Sequence, residues 1–541
     1  MTHFSFLTRI RHIATCFIPS SSRCGKLVCA GSWIIPLVLG AIYLATRLPF
    51  LMMIPAFLDE ALHVDFAKKA LCGNLSSGLM LGKWLSIQFY GLVFGLLGET
   101  LFAARLVPVA LGLATMVLFL IPSLPEQQRR PTVAGVVSAV LYILLPYTVF
   151  YDRLALVDQT QTVLLALMLF LAFRLLSKPS SAYRIMLAFT LMALPMFKYS
   201  GFFLLPIPIL VTMFVTPRAI LASSFRQLLM AYTVAAPALI AFYYKGTPTR
   251  ELGKMINFND WNAALSQVAI NGKDVLVIFK TLLSPALAVA LLAAIMLALI
   301  RKDTANKRRI VALIAVFAFI VIPYVLLFRH WYPRYLLPAI VPVCLLGGEL
   351  MTTFTGANNP LFRRLAIVAF LFIAATTACD SVQIIRNPLQ KPDLPVIRRL
   401  YTTGWSSGYG LTNAVAAINQ CARQHPGTIR VARSARWGIH YQGFKLYEAD
   451  LAPNVAPVLI YNWSESIIEQ TLCNMLSRGV PLYLLFNSTY TYQSDKGVIN
   501  TIRQKFTIRE VAHFEKPGGK PSLVLWQVSL PESPEKSVAD G

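Results

Sequence analysis

Over the first 380 residues or so, long apolar runs alternate with short polar and basic segments. A helix crossing a bilayer needs about 20 mostly apolar residues, because the hydrocarbon core is about 30 Å thick and a helix rises about 1.5 Å per residue. Runs near 32–53, 101–123, 132–151, 159–177, 182–198, 200–216, 228–244, 277–300, 310–328, 335–355 and 363–379 meet that need, which predicts about eleven crossings. The segment 83–98 is apolar but short and glycine-broken, so it reads as a shallow, re-entrant or interfacial helix.

Beyond 380 the apolar runs shrink to strand length: TIRVARS, APVLIYN, VPLYLLFN, FTIREVAHF and SLVLWQV, with helical patterns at 409–424 and 464–478. The pattern predicts three parts. Residues 1–31 form a cytoplasmic N-terminal segment with no cleavable signal, 32–379 a transmembrane domain with an outer loop at 54–100, and 380–541 an extracytoplasmic soluble α/β domain.

Composition supports a polytopic membrane protein: 56% of the 541 residues are hydrophobic and 13% charged, which excludes a large soluble enzyme. A net charge of +25 raises nucleic acid as a partner, but the cations sit in short segments between apolar runs, as the insertion signal requires. If 83–98 does not cross, one side collects Arg9, Arg11, Arg23 and Lys26, then Arg129 and Arg130, then Arg174, Lys178 and Arg184. It also collects Arg218, Arg226, the cluster at 301–309, Arg363 and Arg364. That side is the cytoplasm. FLDEALHVDF (57–66), YDRLALVD (151–158), FKYSG (197–201), the loop 245–275, RHWYPRY (329–335) and everything after 380 then share the extracytoplasmic face.

The eight cysteines follow no metal-ligand spacing, and the pairing of Cys421 with Cys473 stays open. GYG at 408–410 is no dinucleotide fingerprint. Asn74, Asn462 and Asn487 lie in short glycosylation sequons that are frequent by chance.

Candidate chemistry lies on the outer face. Asp59 and Glu60 alone would pass for an ordinary acidic helix start. Lys83, Arg153, Asp158, Lys198, Arg329, His330 and Arg334 keep them company, and ionisable groups at membrane depth are costly unless they face one another or a polar cavity. Arg329 and His330 also fit an interfacial belt with Trp331 and Tyr332. Cations beside a carboxylate pair suit a substrate with an anionic phosphate and a hydroxyl that must lose its proton. A sugar leaves phosphate more easily when cations stabilise the leaving group and a carboxylate takes the attacking proton. A lipid-linked donor suits this face, which soluble nucleotide sugars do not normally reach.

The ordered motifs resemble those of the GT-C superfamily of integral membrane glycosyltransferases, in the branch of protein O-mannosyltransferases and aminoarabinose transferases. The first span followed by the Asp59–Glu60 pair, GETLFAARLVPVALG (98–112), YDRLALVDQ (151–159), FKYSG (197–201) and RYLLPAIVPVCLLGG (334–348) carry the likeness. GWSSGYGL (404–411) is similar to a stretch in some bacterial members.

The resemblance implies a GT-C fold and sugar transfer from a polyprenyl phosphate donor to a protein, lipid or polysaccharide acceptor outside the cytoplasmic (inner) membrane. It implies Asp59 as general base, Glu60 as its companion, Arg153 and Asp158 shaping the cavity, and Lys83, Lys198 and Arg334 on the donor phosphate. Relatives with a divalent metal ion imply Asp59 and His63 as candidate ligands, and an ordinary surface histidine fits His63 equally well. The rival reading, a transporter or lipid-linked sugar flippase, calls for two related halves with matching broken helices. No such halves are visible in the sequence.

Overall fold

The computed structural model describes residues 33–121, 132–245, 261–300, 304–328, 332–355, 359–391, 394–433, 438–460, 464–488, 493–518 and 523–531. The N-terminal segment 1–31, Arg129, Arg130, Arg329, His330 and Asn462 therefore lie outside the described residues.

Fifteen α-helices are described up to Arg386: α1 Ile34–Arg47, α2 Leu58–Leu71, α3 Trp84–Leu97, α4 Leu101–Leu120, α5 Val133–Leu144, α6 Pro146–Tyr151, α7 Asp158–Ser177 and α8 Ser181–Phe197, then α9 Ile207–Val215, α10 Leu221–Lys245, α11 Trp261–Leu282, α12 Pro285–Ile300, α13 Thr304–Leu326, α14 Ile340–Thr355 and α15 Pro360–Arg386. Six described helices are long and apolar enough to cross a membrane, and five shorter apolar ones accompany them. The exposed leucines, isoleucines and phenylalanines of α1, α10 and α15 form an apolar outer surface, as a lipid-facing surface requires. Where helices meet, small residues let backbones approach. A Cβ on Gly348 of α14 would lie 2.3 Å from the Ala134 carbonyl of α5.

The predicted crossing at 277–300 and the predicted outer loop at 245–275 need correction. The apolar run breaks at Ser284, which adopts φ +69, and much of the expected loop is helix α11. A hydropathy reading misses α11 because Gln267, Asn271, Lys273 and Asp274 interrupt its apolar positions, of which Val275, Ile278 and Leu282 are buried. Its Asn271 Nδ2 donates to the carbonyls of Tyr324, Val325 and Phe328 at 3.2, 3.2 and 2.7 Å, satisfying acceptors that the end of α13 leaves open.

The C-terminal region is a sheet of five strands, β1 Ile429–Arg433, β2 Val455–Leu459, β3 Leu482–Asn487, β4 Thr507–Phe514 and β5 Leu523–Ser529, in the order β2-β1-β3-β5-β4. The first three run parallel, and β5 and β4 are antiparallel. Alternate residues face opposite sides, so Val431 and Leu485 meet α16 (Leu411–Arg423), while Leu484 and Phe486 meet α17 (Glu465–Ser477) and α18 (Gln493–Lys505). Cys421 packs on the first face and Cys473 on the second. The sheet between them bars the disulfide left open by the sequence. Leu58, the first residue of α2, joins the first of these cores and docks the sheet against the membrane region.

Candidate active site

Helix α2 begins at a junction of three chain segments. Phe57 precedes it in extended conformation and Glu60 reaches back, its Oε2 accepting the Phe57 N–H at 2.9 Å, which satisfies one of the orphan donors of a helix start. The Leu58 N–H donates to the carbonyl of Ser406, far along the chain, at 3.0 Å.

Glu60 is wholly buried. Oε1 accepts from Arg105 Nε at 2.9 Å and from the Ala155 N–H at 2.7 Å, and Oε2 also accepts from Arg105 Nη2 at 2.8 Å. A carboxylate offers about four acceptor positions, and all are taken. The remaining Arg105 donors hold the carbonyls of Leu51, Ile54 and Pro55. The structure therefore corrects the expected companion role of Glu60: it ties α2, α4 and the 151–158 loop together, with no lone pair left for substrate.

Asp59 is one residue earlier, about 100° around the helix, and enters different surroundings. Its carboxylate pairs with Arg334. Arg334 Nε also lies 3.5 Å from Asp158, whose other oxygen meets Lys198 Nζ at 2.5 Å. Lys83 Nζ is 3.0 Å from His63 Nε2, and His63 Nδ1 faces the Ala155 carbonyl at 2.8 Å. A carbonyl only accepts and an ammonium only donates, so the proton sits on Nδ1 and Nε2 receives Lys83.

Two carboxylates and three cations from five regions of the chain thus form one cluster. Burial pushes Asp59 up, but Arg334, Lys83, His63 and Lys198 outweigh it and hold the carboxyl at about 2. Burial, then Lys83, lowers His63 to about 3, so its ring is neutral at physiological pH. The Asp59 side chain is 21% exposed against 3% for Asp158, making Asp59 the carboxylate an incoming group can reach.

Aromatic rings wall the cluster. The Arg334 guanidinium lies 4.6 Å from the Tyr332 ring, 5.3 Å from Phe57 and 5.4 Å from Tyr335, contacts that favour a cation over a ring face. Tyr401, from the segment before the sheet, packs on Phe57 with ring centroids 4.6 Å apart. Arg334 Nη1 is buried and meets no acceptor at hydrogen-bond geometry.

Arg153 is not among the groups brought together. Its Nη2 donates to the carbonyls of Pro49 and Phe50 at 3.0 and 2.7 Å, bracing the turn in which Phe50 adopts φ +55. Its expected part in shaping the cavity reduces to holding that turn. The metal reading also fails on fit: both His63 nitrogens are engaged, Asp59 faces cations, and the described residues hold no group of three or more His, Cys, Asp or Glu that could bind an ion.

Sequence reasoning overlooked two buried charge networks. Arg105 is one. The other joins Arg47 and Asp152, 3.6 Å apart and fully buried, with the Tyr43 hydroxyl donating to Asp152 at 2.9 Å. The available signal was a lone arginine inside an apolar run, which demands a buried partner.

No protein-family model matches the chain. No curated protein matches it in sequence. Among solved structures, ArnT from Cupriavidus metallidurans in the apo state superposes with a TM-score of 0.50 at 12% identity, covering 92% of this chain and 98% of that one. The arabinofuranosyltransferase AftD from Mycobacteria gives 0.47 at 16% identity, over 93% of this chain and 40% of that one. The Archaeoglobus fulgidus oligosaccharyltransferase in its apo form gives 0.45 at 12% identity, over 95% and 76%. The likeness to ArnT is one of fold, and that fold is GT-C, as the ordered motifs led us to expect.

Proposed function

We propose that this protein is a glycosyltransferase that moves a sugar from a polyprenyl-phosphate-linked donor to an acceptor at the extracytoplasmic face of the cytoplasmic membrane. The observation that carries the reading is Arg334, shared by Asp59 and Asp158 while Lys198 also holds Asp158. It joins a reachable base to fixed positive charge, the two requirements of displacement at a sugar phosphate.

The acceptor oxygen attacks the anomeric carbon, the bond from that carbon to the phosphate oxygen breaks, and the acceptor proton passes to Asp59. The polyprenyl phosphate leaves with its new charge on Arg334, Lys198 and Lys83. A single displacement inverts the anomeric centre, as the family resemblance implies. Asp158 keeps Lys198 and Arg334 oriented. The Arg334 pairing makes Asp59 a weak base before substrate arrives. A donor phosphate competes for Arg334, which has Nη1 to offer, and so releases Asp59 to accept a proton. Donor therefore binds before acceptor is activated. The acceptor class, protein, lipid or polysaccharide, is identified by the envelope glycoconjugate lost on deletion.

The test uses purified protein in proteoliposomes, a radiolabelled polyprenyl phosphate sugar and an envelope extract as acceptor source. Label should pass to acceptor with release of polyprenyl phosphate, and Asp59→Asn should reduce this by about 10²- to 10⁴-fold. Label that crosses vesicle membranes without leaving its lipid would overturn the reading in favour of a transporter.

A further inference from the structure

The turn between β4 and β5 carries Lys516, 2% exposed. Its Nζ donates to the carbonyls of Gly404 and Ser407 at 2.9 and 2.8 Å, and no carboxylate pairs with it among the described residues. Burial alone lowers it to about 7. An ammonium buried without counter-charge is costly, so its hydrogen bonds have to offset that cost.

Those two carbonyls belong to GWSSGYG, the segment that docks on the start of α2. Ser406 accepts the Leu58 N–H at 3.0 Å, Gly408 N–H donates to the Ala56 carbonyl at 2.8 Å, and Phe57 and Ser407 form an isolated β-bridge. A Cβ at Gly408 would lie 2.5 Å from the Ala56 carbonyl, so this approach needs glycine. Lys516 therefore braces a turn that in turn braces Ala56, Phe57 and Leu58, directly before Asp59.

We propose that Lys516 is a positioning residue for Asp59: it holds the 404–408 turn against the start of α2 and so sets where the reachable carboxylate stands. The inference rests on reading the Asp59 cluster as the transfer site. Lys516 lies outside the cation cluster that would meet a donor phosphate, so its loss should disturb the base and spare donor binding.

The test compares hydrogen exchange in the full-length protein and in Lys516→Met. Exchange at the Leu58 amide should accelerate about tenfold or more while β3 and β5 amides keep their protection, and Lys516→Arg, which retains donors, should restore it. Affinity for undecaprenyl phosphate should stay within about threefold, because the positive charges that bind it are elsewhere. In cells lacking the protein, Lys516→Met should restore the missing glycoconjugate about ten- to a hundredfold less well than wild type. Unchanged exchange at Leu58, exchange rising equally across the sheet, or full restoration by Lys516→Met would each overturn the assignment. Full restoration by Asp59→Asn would instead sink the transfer-site reading, and the exchange result would remain independent of it.

Discussion

Asp59 and Glu60 are adjacent in the chain and opposite in environment: Glu60 is fully enclosed on Arg105, while Asp59 is 21% exposed and paired with Arg334. One helical step separates an enclosed carboxylate from one that an incoming group can reach.

That separation sets two kinds of mutant apart. Glu60→Ala strands the Arg105 guanidinium in the interior and should cost about 3–5 kcal/mol of stability. Asp59→Asn should cost less than Glu60→Ala, because the Asp59 carboxylate is 21% exposed and Asp158 still faces Arg334. Chemical denaturation of both variants in bicelles, beside their transfer activity, checks the contrast. Glu60→Ala should lose fold and activity together, and Asp59→Asn activity alone.

Anion binding should respond to the Arg334 pairing with opposite signs at its two ends. Arg334→Ala removes charge-assisted bonds worth about 1.5–3 kcal/mol, a loss of roughly ten- to a hundredfold in undecaprenyl phosphate affinity. Asp59→Asn removes a competitor for the guanidinium and should leave affinity equal or higher. Titration calorimetry in nanodiscs reads both, and weakened binding in Asp59→Asn would argue against the competition.

Acid should destabilise the protein through its buried histidines. Burial lowers both His63 and His440 to about 3, against 6.5 for the free side chain. Between those values the unfolded chain binds protons that the folded one refuses, so stability falls as pH drops from 6.5 towards 3. Each group contributes up to about 1.4 kcal/mol per pH unit there. The depressed Asp59 acts in the same direction lower down, its contribution present above about 3.8 and lost towards 2. Melting temperature against pH should flatten over the histidine window in His63→Gln and in His440→Gln.

Docking of the 404–411 segment can be probed at glycines. Gly408→Ala should cost about 1–3 kcal/mol by forcing the segment away from Ala56. Gly427→Ala, where a Cβ would meet nothing within 4 Å, should be close to neutral. Equal melting temperatures for the two variants would contradict the close approach.

The sequence by itself determined the class of molecule. Twenty-residue apolar runs must become helices that satisfy their own backbone in lipid, and strand-length apolar runs separated by helical patterns point to a sheet flanked by helices. The ordered motifs were enough to anticipate the GT-C fold; that Asp59, Asp158, Lys83, Lys198 and Arg334 meet in one cluster was decided by the packing. Residues one step apart look alike in one dimension, and only the tertiary structure decided that Glu60 and Arg153 brace the scaffold while Asp59 faces the cations. It alone placed Ser406 on Leu58, and Cys421 and Cys473 on opposite sides of a sheet, because contacts across hundreds of residues depend on packing that local periodicity does not encode. For the same reason α11, interrupted by polar residues, escaped a hydropathy reading. Its Asn271 becomes intelligible only beside the helix whose carbonyls it completes.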